Sequence, residues 1–374
     1  MKEGWTYKKF ADCIDKIPKQ RQVKSKDYKS TGLYPIVSQE KELISGYWDD
    51  ESYLYKHSKP IIIFGDHTKV VKYVDFDFVV GADGTQILSP KSDVDAKYFY
   101  YTLLATPIRT LGYARHFKLL KERSFKFPSL SEQQRIVSRL DSAFAHIDER
   151  KANAEKQLSE ARALFQKALT KAMEPKEGWE EKTLSSIVHK DCSLSYGIVQ
   201  PGDHKEDGVP VVRPVDFNNK VVVGHEGLKR TDKEISDAYK RTILKGGEIL
   251  FCVRGTTGTM GLASKELKGC NVTRGIVPIY FDKEINLLFM YYQLLSPSLQ
   301  DEIQRKTTGA ALKQINIKDL RNLQLFVPSL SEQQRIVSRL DSLSAHVREL
   351  EEVLQKTIAE CDALKQALLR QVFE

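Results

Sequence analysis

Residues 128–142 read PSLSEQQRIVSRLDS, and residues 328–342 read PSLSEQQRIVSRLDS. Fifteen identical residues within one chain are not chance, and an internal repeat of this kind governs the reading of the whole fold. The offset of 200 continues without a gap: Ala145-His146-Ile147 matches Ala345-His346-Val347, and Ala163-Leu164 matches Ala363-Leu364. At a shorter offset, Lys2-Glu3-Gly4-Trp5 recurs as Lys176-Glu177-Gly178-Trp179 and marks the two starts. The 374 residues therefore divide into two units, 1–175 and 176–374, each a variable block followed by a matched segment.

The matched segments predict long helices. Pro128 and Pro328 precede them, and Ser129 with Glu132 or Ser131 with Gln134 supplies the S-x-x-E/Q signature of a helix start. Neither Pro nor Gly follows until Pro175 in the first unit, and none follows in the second. Roughly 40 helical residues fit, or about 60 Å. Phe144, Ile147, Ala154, Leu158, Ala161, Phe165 and Ala168 recur at three-to-four spacing, with Lys151 interrupting. Leu343, Val347, Leu350, Leu354, Cys361, Leu364 and Leu368 do the same in the second helix. Such stripes predict that the helices pair as an antiparallel coiled coil about a pseudo-twofold axis. The plainer alternative is a helix lying on its own block.

The variable blocks read as mixed α/β. Residues 60–64, 70–80, 209–215, 248–253 and 276–281 are short apolar or alternating runs between Gly and Asp turns, and helices are expected near 95–106 and 284–296. In 70–80, Phe76 and Phe78 alternate with Asp75 and Asp77, the pattern of a half-buried strand. The fold class is α+β, with boundaries 1–127 for the first block, 128–175 for its helix, 176–327 for the second block and 328–374 for its helix. No apolar run approaches the roughly 20 residues that span a bilayer. The opening Met1-Lys2-Glu3-Gly4-Trp5 has no apolar core, so secretion is not expected and a cytoplasmic location is. Five scattered cysteines without a CxxC pair disfavour both zinc and a disulfide framework.

Two divergent blocks on two matched helices suggest one shared partner surface and two different binding surfaces of the same kind. A bipartite DNA target is the economical candidate. The net charge of +8 is compatible with nucleic acid. Candidate contacts in the first block are Lys24, Lys26, His67, Thr68, Lys69, Arg115, His116 and Lys118. In the second they are Arg213, Arg254, Thr256, Thr257, Arg274, Thr308 and Lys313. Lys and Arg meet phosphates, and Arg with polar neighbours reads base edges. For any single one of these residues an ordinary solvated surface is the competing explanation. A weak echo, Gly112-Tyr113-Ala114-Arg115-His116 and Gly309-Ala310-Ala311-Leu312-Lys313, precedes each matched segment.

Two variable domains, each closed by a P-x-L-x-E-Q-x-x-I helix, resemble the specificity subunit of Type I restriction–modification enzymes. FGDHTKVVKYVDFDFVVGADGTQIL (64–88) is similar to a version of that family's first target-recognition domain. SYGIVQPGDHKEDGVPVVRPVDF (195–217), GGEILFCVRGTTGTMG (246–261) and TTGAALKQINIKDLRNLQLFVPSLSEQ (307–333) are similar to the second and to its exit into the helix. No matched segment precedes the first block, so the paired helices are expected from 128–175 and 328–374 alone. The resemblance implies a non-catalytic subunit that binds double-stranded DNA with a bipartite target. It implies two methyltransferase subunits docked on the helices, through Gln133, Arg135, Ile136, Leu140, Gln333, Arg335, Ile336 and Leu340, and restriction subunits joined through the complex. S-adenosylmethionine, ATP and Mg would belong to those partners, with no cofactor or metal on this chain. The helix pair would act as a ruler for half-site spacing.

The alternative is a metal-dependent nucleic-acid-processing enzyme, with Asp66, His67 and Asp83 as ligands. Metal ligation needs three or four convergent groups, and these three do not complete a set. Gly255-Thr256-Thr257-Gly258 lacks the Gly-Lys-Ser/Thr ending of a phosphate-binding P-loop; a turn delivering Arg254 and the threonines to DNA is preferred to it, with a purely structural turn as the even alternative. Neither a G-x-S-x-G nucleophile elbow nor the motif of amino-methyltransferases is present.

Overall fold

The computed structural model describes residues 5–109, 112, 115–217, 222–309 and 312–373. Residues 2–4 of the starting echo, and Tyr113, Ala114, Ala310 and Ala311 of the weaker echo, lie outside the described residues. The chain divides into two compact units, residues 1–156 with 354–374, and residues 157–353.

In the first unit, Thr6–Lys9 pairs antiparallel with Ser124–Phe127, which leads into the long helix Leu130–Met173. A four-stranded sheet runs in the order Ile14–Asp15, Thr85–Pro90, Ile61–Gly65, Val71–Val74. Ile61–Gly65 is buried at every residue, as a central strand covered on both faces must be. A second sheet holds Gln22–Val23, Phe78–Gly81, Tyr34–Val37 and Gly46–Trp48, with Leu54–Tyr55 also on Phe78–Gly81. The run 70–80 is therefore two strands in two sheets, Val71–Val74 and Phe78–Gly81, and not one. The chain leaves the first sheet at Asp75, and Asp77 Oδ1 accepts the His57 amide (3.2 Å). The main core joins Phe10, Phe64, Tyr98, Phe99 and Phe127 to Ile136, Leu140, Phe144 and Ile147 of the first long helix. Cys361, Leu369 and Phe373 of the second long helix complete it.

The second unit repeats the plan. Glu180–Thr183 pairs with Gln324–Val327, ahead of the long helix Leu330–Phe373. A four-stranded sheet holds Val222–Val223, Met260–Ala263, Ile249–Cys252 and Ile276–Ile279, and a three-stranded one holds Lys229–Thr231, Val209–Val212 and Asn271–Val272. The run 209–215 is thus a strand only to Val212, since Pro214–Phe217 is a 3-10 turn. The expected short helices are Ala96–Ala105 and Leu287–Leu295, capped by Asp95 and Asn286. Pro297–Lys306 adds a helix not read from the sequence. Leu169 and Met173 of the first long helix pack with Ile336, Val337 and Leu340 of the second.

Each long helix has 44 residues, about 66 Å at 1.5 Å per residue. Within the first unit they run antiparallel: Lys151 pairs with Asp362 and Asp148 with Lys365, so one number rises as the other falls. Within the second, Arg162 pairs with Glu351. Ala154, Ala161, Leu354 and Cys361 of the apolar stripes are buried, whereas Leu350 and Leu364 remain 42% and 49% exposed; at the end of the second stripe Leu368 is half-buried and its neighbour Leu369 takes the buried place. Among the described residues no helix is long and apolar enough to cross a membrane.

Candidate nucleic-acid interface

In the first unit the candidates gather around Asp66. The hairpin from Ile61–Gly65 to Val71–Val74 turns through Asp66-His67-Thr68-Lys69, with Lys69 left-handed at φ 61°. Asp66 is 3% exposed. Its amide donates to the Gly84 carbonyl (2.8 Å), and its own carbonyl accepts the His116 amide (2.8 Å) and faces His116 Nδ1 (3.0 Å). Its carboxylate Oδ1 accepts the Phe117 amide (2.8 Å). One buried residue thus joins the hairpin tip through its backbone to the 81–85 turn, and through backbone and side chain to the start of the short helix Phe117–Lys121. Gln39 adds a fourth segment, its Oε1 accepting the His67 amide (3.0 Å) and its carbonyl the Thr68 hydroxyl (2.7 Å). A Cβ on Gly65 would lie 2.2 Å from Thr68 Oγ1, so the tip closes this tightly only on glycine. The Ala82 amide donates to the Val23 carbonyl (2.7 Å), which brings Lys24 and Lys26 beside the same turn.

Lys24, Lys26, Thr68, Arg115 and Lys118 are exposed there, and His67 and Lys69 are half-buried. His116 is 1% exposed, and burial keeps it from touching DNA directly in this conformation. Behind the hairpin, the buried Lys72 ammonium donates to the Glu42 carbonyl. Burial pushes its pKa down to about 8, against the opposing pull of Glu40 and Glu42. The Asp66 carboxylate proposed for a metal site is engaged by the Phe117 amide. Among the described residues no group of three or more His, Cys, Asp and Glu side chains could hold a metal ion.

In the second unit the corresponding hairpin tip, Arg254–Gly258, docks on the segment before Ile317–Arg321. Arg254 bridges Gln314, the Gly255 amide donates to the Lys313 carbonyl (2.8 Å), and the Thr257 hydroxyl donates to the same oxygen (3.2 Å). Thr308 and Gln314 exchange both backbone bonds (2.9 Å each). Gly255 and Gly258 are left-handed at φ 83° and 90°, and a Cβ on Gly258 would meet Gln300 Oε1 at 2.6 Å. From the helix Pro297–Lys306, Gln300 Nε2 donates to the Gly258 carbonyl (3.1 Å) and Gln304 Nε2 to the Thr257 carbonyl (2.9 Å). The Val253 amide bonds the Gly275 carbonyl and the Thr273 amide the Val212 carbonyl, which ties in Arg274 and Arg213.

Thr256, Arg274, Thr308 and Lys313 are exposed, Arg254 is half-buried, and Thr257 is buried. Arg213 is held by Asp216, Nη2 to Oδ1 at 2.8 Å and Nε to Oδ2 at 3.2 Å, so its fork is already occupied. Gln39, Gln300 and Gln304 organise these loops and were missed. An isolated glutamine carries no signal in sequence, although Ser296-Pro297 is the start signature of the helix that bears two of them.

The helix residues expected to face a partner divide sharply. Gln133 is buried, with Oε1 accepting the Asp95 amide (2.9 Å) and Nε2 donating to the Pro128 carbonyl (3.0 Å). Gln333 repeats this with Asn286 (2.7 Å) and Pro328 (2.9 Å). Ile136, Leu140, Ile336 and Leu340 lie in the cores of their own units. Burial takes these six out of any docking surface in this conformation. Arg135 and Arg335 stay exposed, each beside its own Glu132 or Glu332.

A protein-family model described as the Type I restriction modification DNA specificity domain matches residues 2–159 and 176–360. The chain belongs to this family. Two separate matches fall on the two repeats, each with its own loop cluster. The EcoBI specificity subunit of Escherichia coli is 29% identical over 282 residues, covering 68% of this chain and 59% of its own length. The chain thus spans less than two thirds of that relative. The EcoR124I/EcoR124II specificity subunit, also of Escherichia coli, is 27% identical over 361 residues, covering 91% of this chain and 87% of its own. Among solved structures, a chain from work on complex assembly and conformational transition of the type I R-M system superposes with TM-score 0.73 at 19% identity, covering 100% and 98% of the two chains. The HsdS subunit from Thermoanaerobacter tengcongensis gives 0.51 at 18% identity, covering 100% and 97%. At such identities these likenesses speak for the fold.

Proposed function

We propose that this specificity-family chain reads a bipartite double-stranded DNA target, one half with each loop cluster, for a Type I restriction–modification complex. In this reading, 1–127 and 176–327 are the two target-recognition domains. Chemistry resides elsewhere: methyltransferase subunits use S-adenosylmethionine to modify an adenine in each half-site, and restriction subunits supply ATP-dependent cleavage in the presence of Mg. The observation that carries it is the duplication of one arrangement with different contents. In each unit a glycine-containing hairpin tip is fastened to the segment before a short helix. The first cluster presents Lys24, Lys26, Thr68, Arg115 and Lys118 on its surface, and the second presents Thr256, Arg274, Thr308 and Lys313. Cations of this density suit phosphates, and a rigid turn suits the placing of a few base-reading groups. Two methyltransferase subunits would dock on the long helices, using the exposed Arg135 and Arg335 rather than the buried neighbours. The test is reconstitution. Chain plus methyltransferase subunits and S-adenosylmethionine should methylate one bipartite motif, with binding that weakens steeply as salt rises. Methylation of the same motif without this chain contradicts the reading.

A further inference from the structure

The two long helices match position for position, yet their seam charges are opposite in sign. In the first unit Lys151 Nζ lies 2.7 and 2.8 Å from the two carboxylate oxygens of Asp362, and Lys365 pairs with Asp148. In the second unit Arg162 Nε lies 2.7 Å from Glu351 Oε1. Residue 351 is the repeat of 151, and 362 is the repeat of 162. The same two positions therefore form an ion pair in both units, with cations on the first helix and anions on the second. Asp148 and Arg348 are likewise opposite, and Lys365 repeats as Phe165.

We propose that this pattern is a pairing code: the first long helix accepts the second, from its own chain or another copy, and rejects a copy of itself. The register dictates the penalty. Two first helices would set Lys151 against Arg162 twice. Two second helices would set Glu351 against Asp362 twice and Arg348 against Lys365 twice. Each like pairing exchanges attractions for repulsions, the device by which flanking charges select partners in coiled coils. Size adds to sign, because the buried positions Ala154 and Ala161 repeat as Leu354 and Cys361. Two first helices would bring only alanines there and leave the seam underfilled. The fifteen identical residues would permit like pairing; the charges oppose it. An assembly would then always carry two different target blocks. That consequence rests on the DNA reading above, whereas the pairing itself does not.

The experiment places a protease site between Met173 and Glu180 in the full chain and cuts it after folding. The fragments are unfolded in urea, refolded together and counted by native mass spectrometry. Unlike pairs should exceed either like pair by about tenfold at low salt, with the preference flattening at about 0.5 M salt. Lys151→Glu sets a carboxylate, in place of the ammonium, against Arg162 in a pair of first helices and should raise that like pair by about tenfold. Like pairs at random frequency, or an unchanged distribution in Lys151→Glu, overturn the proposal. Should the fragments not re-pair, the uncut chain decides. Lys151→Glu should lower its melting midpoint by about 2 °C, and adding Asp362→Lys should restore it. A midpoint indifferent to both overturns the code. None of these readouts involves DNA, so failure here leaves the DNA reading standing.

Discussion

Asp66, next to His67 and near Asp83 in sequence, has the chemistry of a metal ligand, and the fold uses it as a fastening. Its carboxylate and backbone hold His116, Phe117 and Gly84. Asp66→Ala should leave the Phe117 amide without its buried partner and loosen the loop cluster. We expect affinity of the assembled complex for one half-site to fall about tenfold, roughly the cost of one such lost bond, with the other half-site unaffected. Asp66→Asn, which keeps an acceptor, should retain most binding; DNA probes scrambled in one half at a time make the comparison. Lys72 gives a pH test. Its pKa of about 8 lies below the unfolded value, so the unfolded chain holds more protons between about pH 8 and 10. Stability therefore rises with pH across that window as the buried charge is relieved. Relative to Lys72→Met, the wild type should gain about 1–3 kcal/mol between about pH 7.5 and 10 in urea unfolding. A flat difference removes the buried-charge account. Neither role was legible beforehand, because both depend on segments distant in sequence.

The long helices were the most legible elements, since a repeat and an apolar stripe both report on them. Of the two possible starts, Ser129 is the cap, its hydroxyl accepting the Glu132 amide at 3.4 Å. The role of the repeated glutamine was hidden, since a buried amide at a helix start resembles any polar surface residue in sequence. Gln133 and Gln333 each tie their helix to the cap of a short helix, and Tyr101 and Tyr292 donate to Asp141 and Asp341 about two turns further on. Gln333→Ala should destabilise the second unit by about 1–3 kcal/mol, read in urea unfolding, because it leaves the Asn286 amide and Pro328 carbonyl unmatched. Leu354→Ala should cost about 2–4 kcal/mol in the same measurement, and Leu364→Ala, half-exposed, well under ~1 kcal/mol. The strand run 70–80 misled because alternation continues through Asp75-Phe76-Asp77 while the chain changes sheets. Alternation reports burial on one side and carries no information about which sheet supplies it.

At the scale of the molecule, one plan is built twice from blocks with little sequence in common. The first strand pairs with the last in each unit, and a hairpin tip docks before each closing helix. Sequence revealed the duplication through the helices; the equivalence of the blocks emerges only in hydrogen bonding, where backbone rather than side chains does the matching. Two equivalent frames carrying different loops lead to the central claim, that the two blocks read two halves of one DNA target independently. The most direct measurement replaces residues 1–127 with the equivalent block of another specificity-family chain, restores the complex in a host, and maps methylated adenines across its genome. The account predicts a motif in which one half changes and the other is retained base for base. A motif altered in both halves, or in neither, contradicts it.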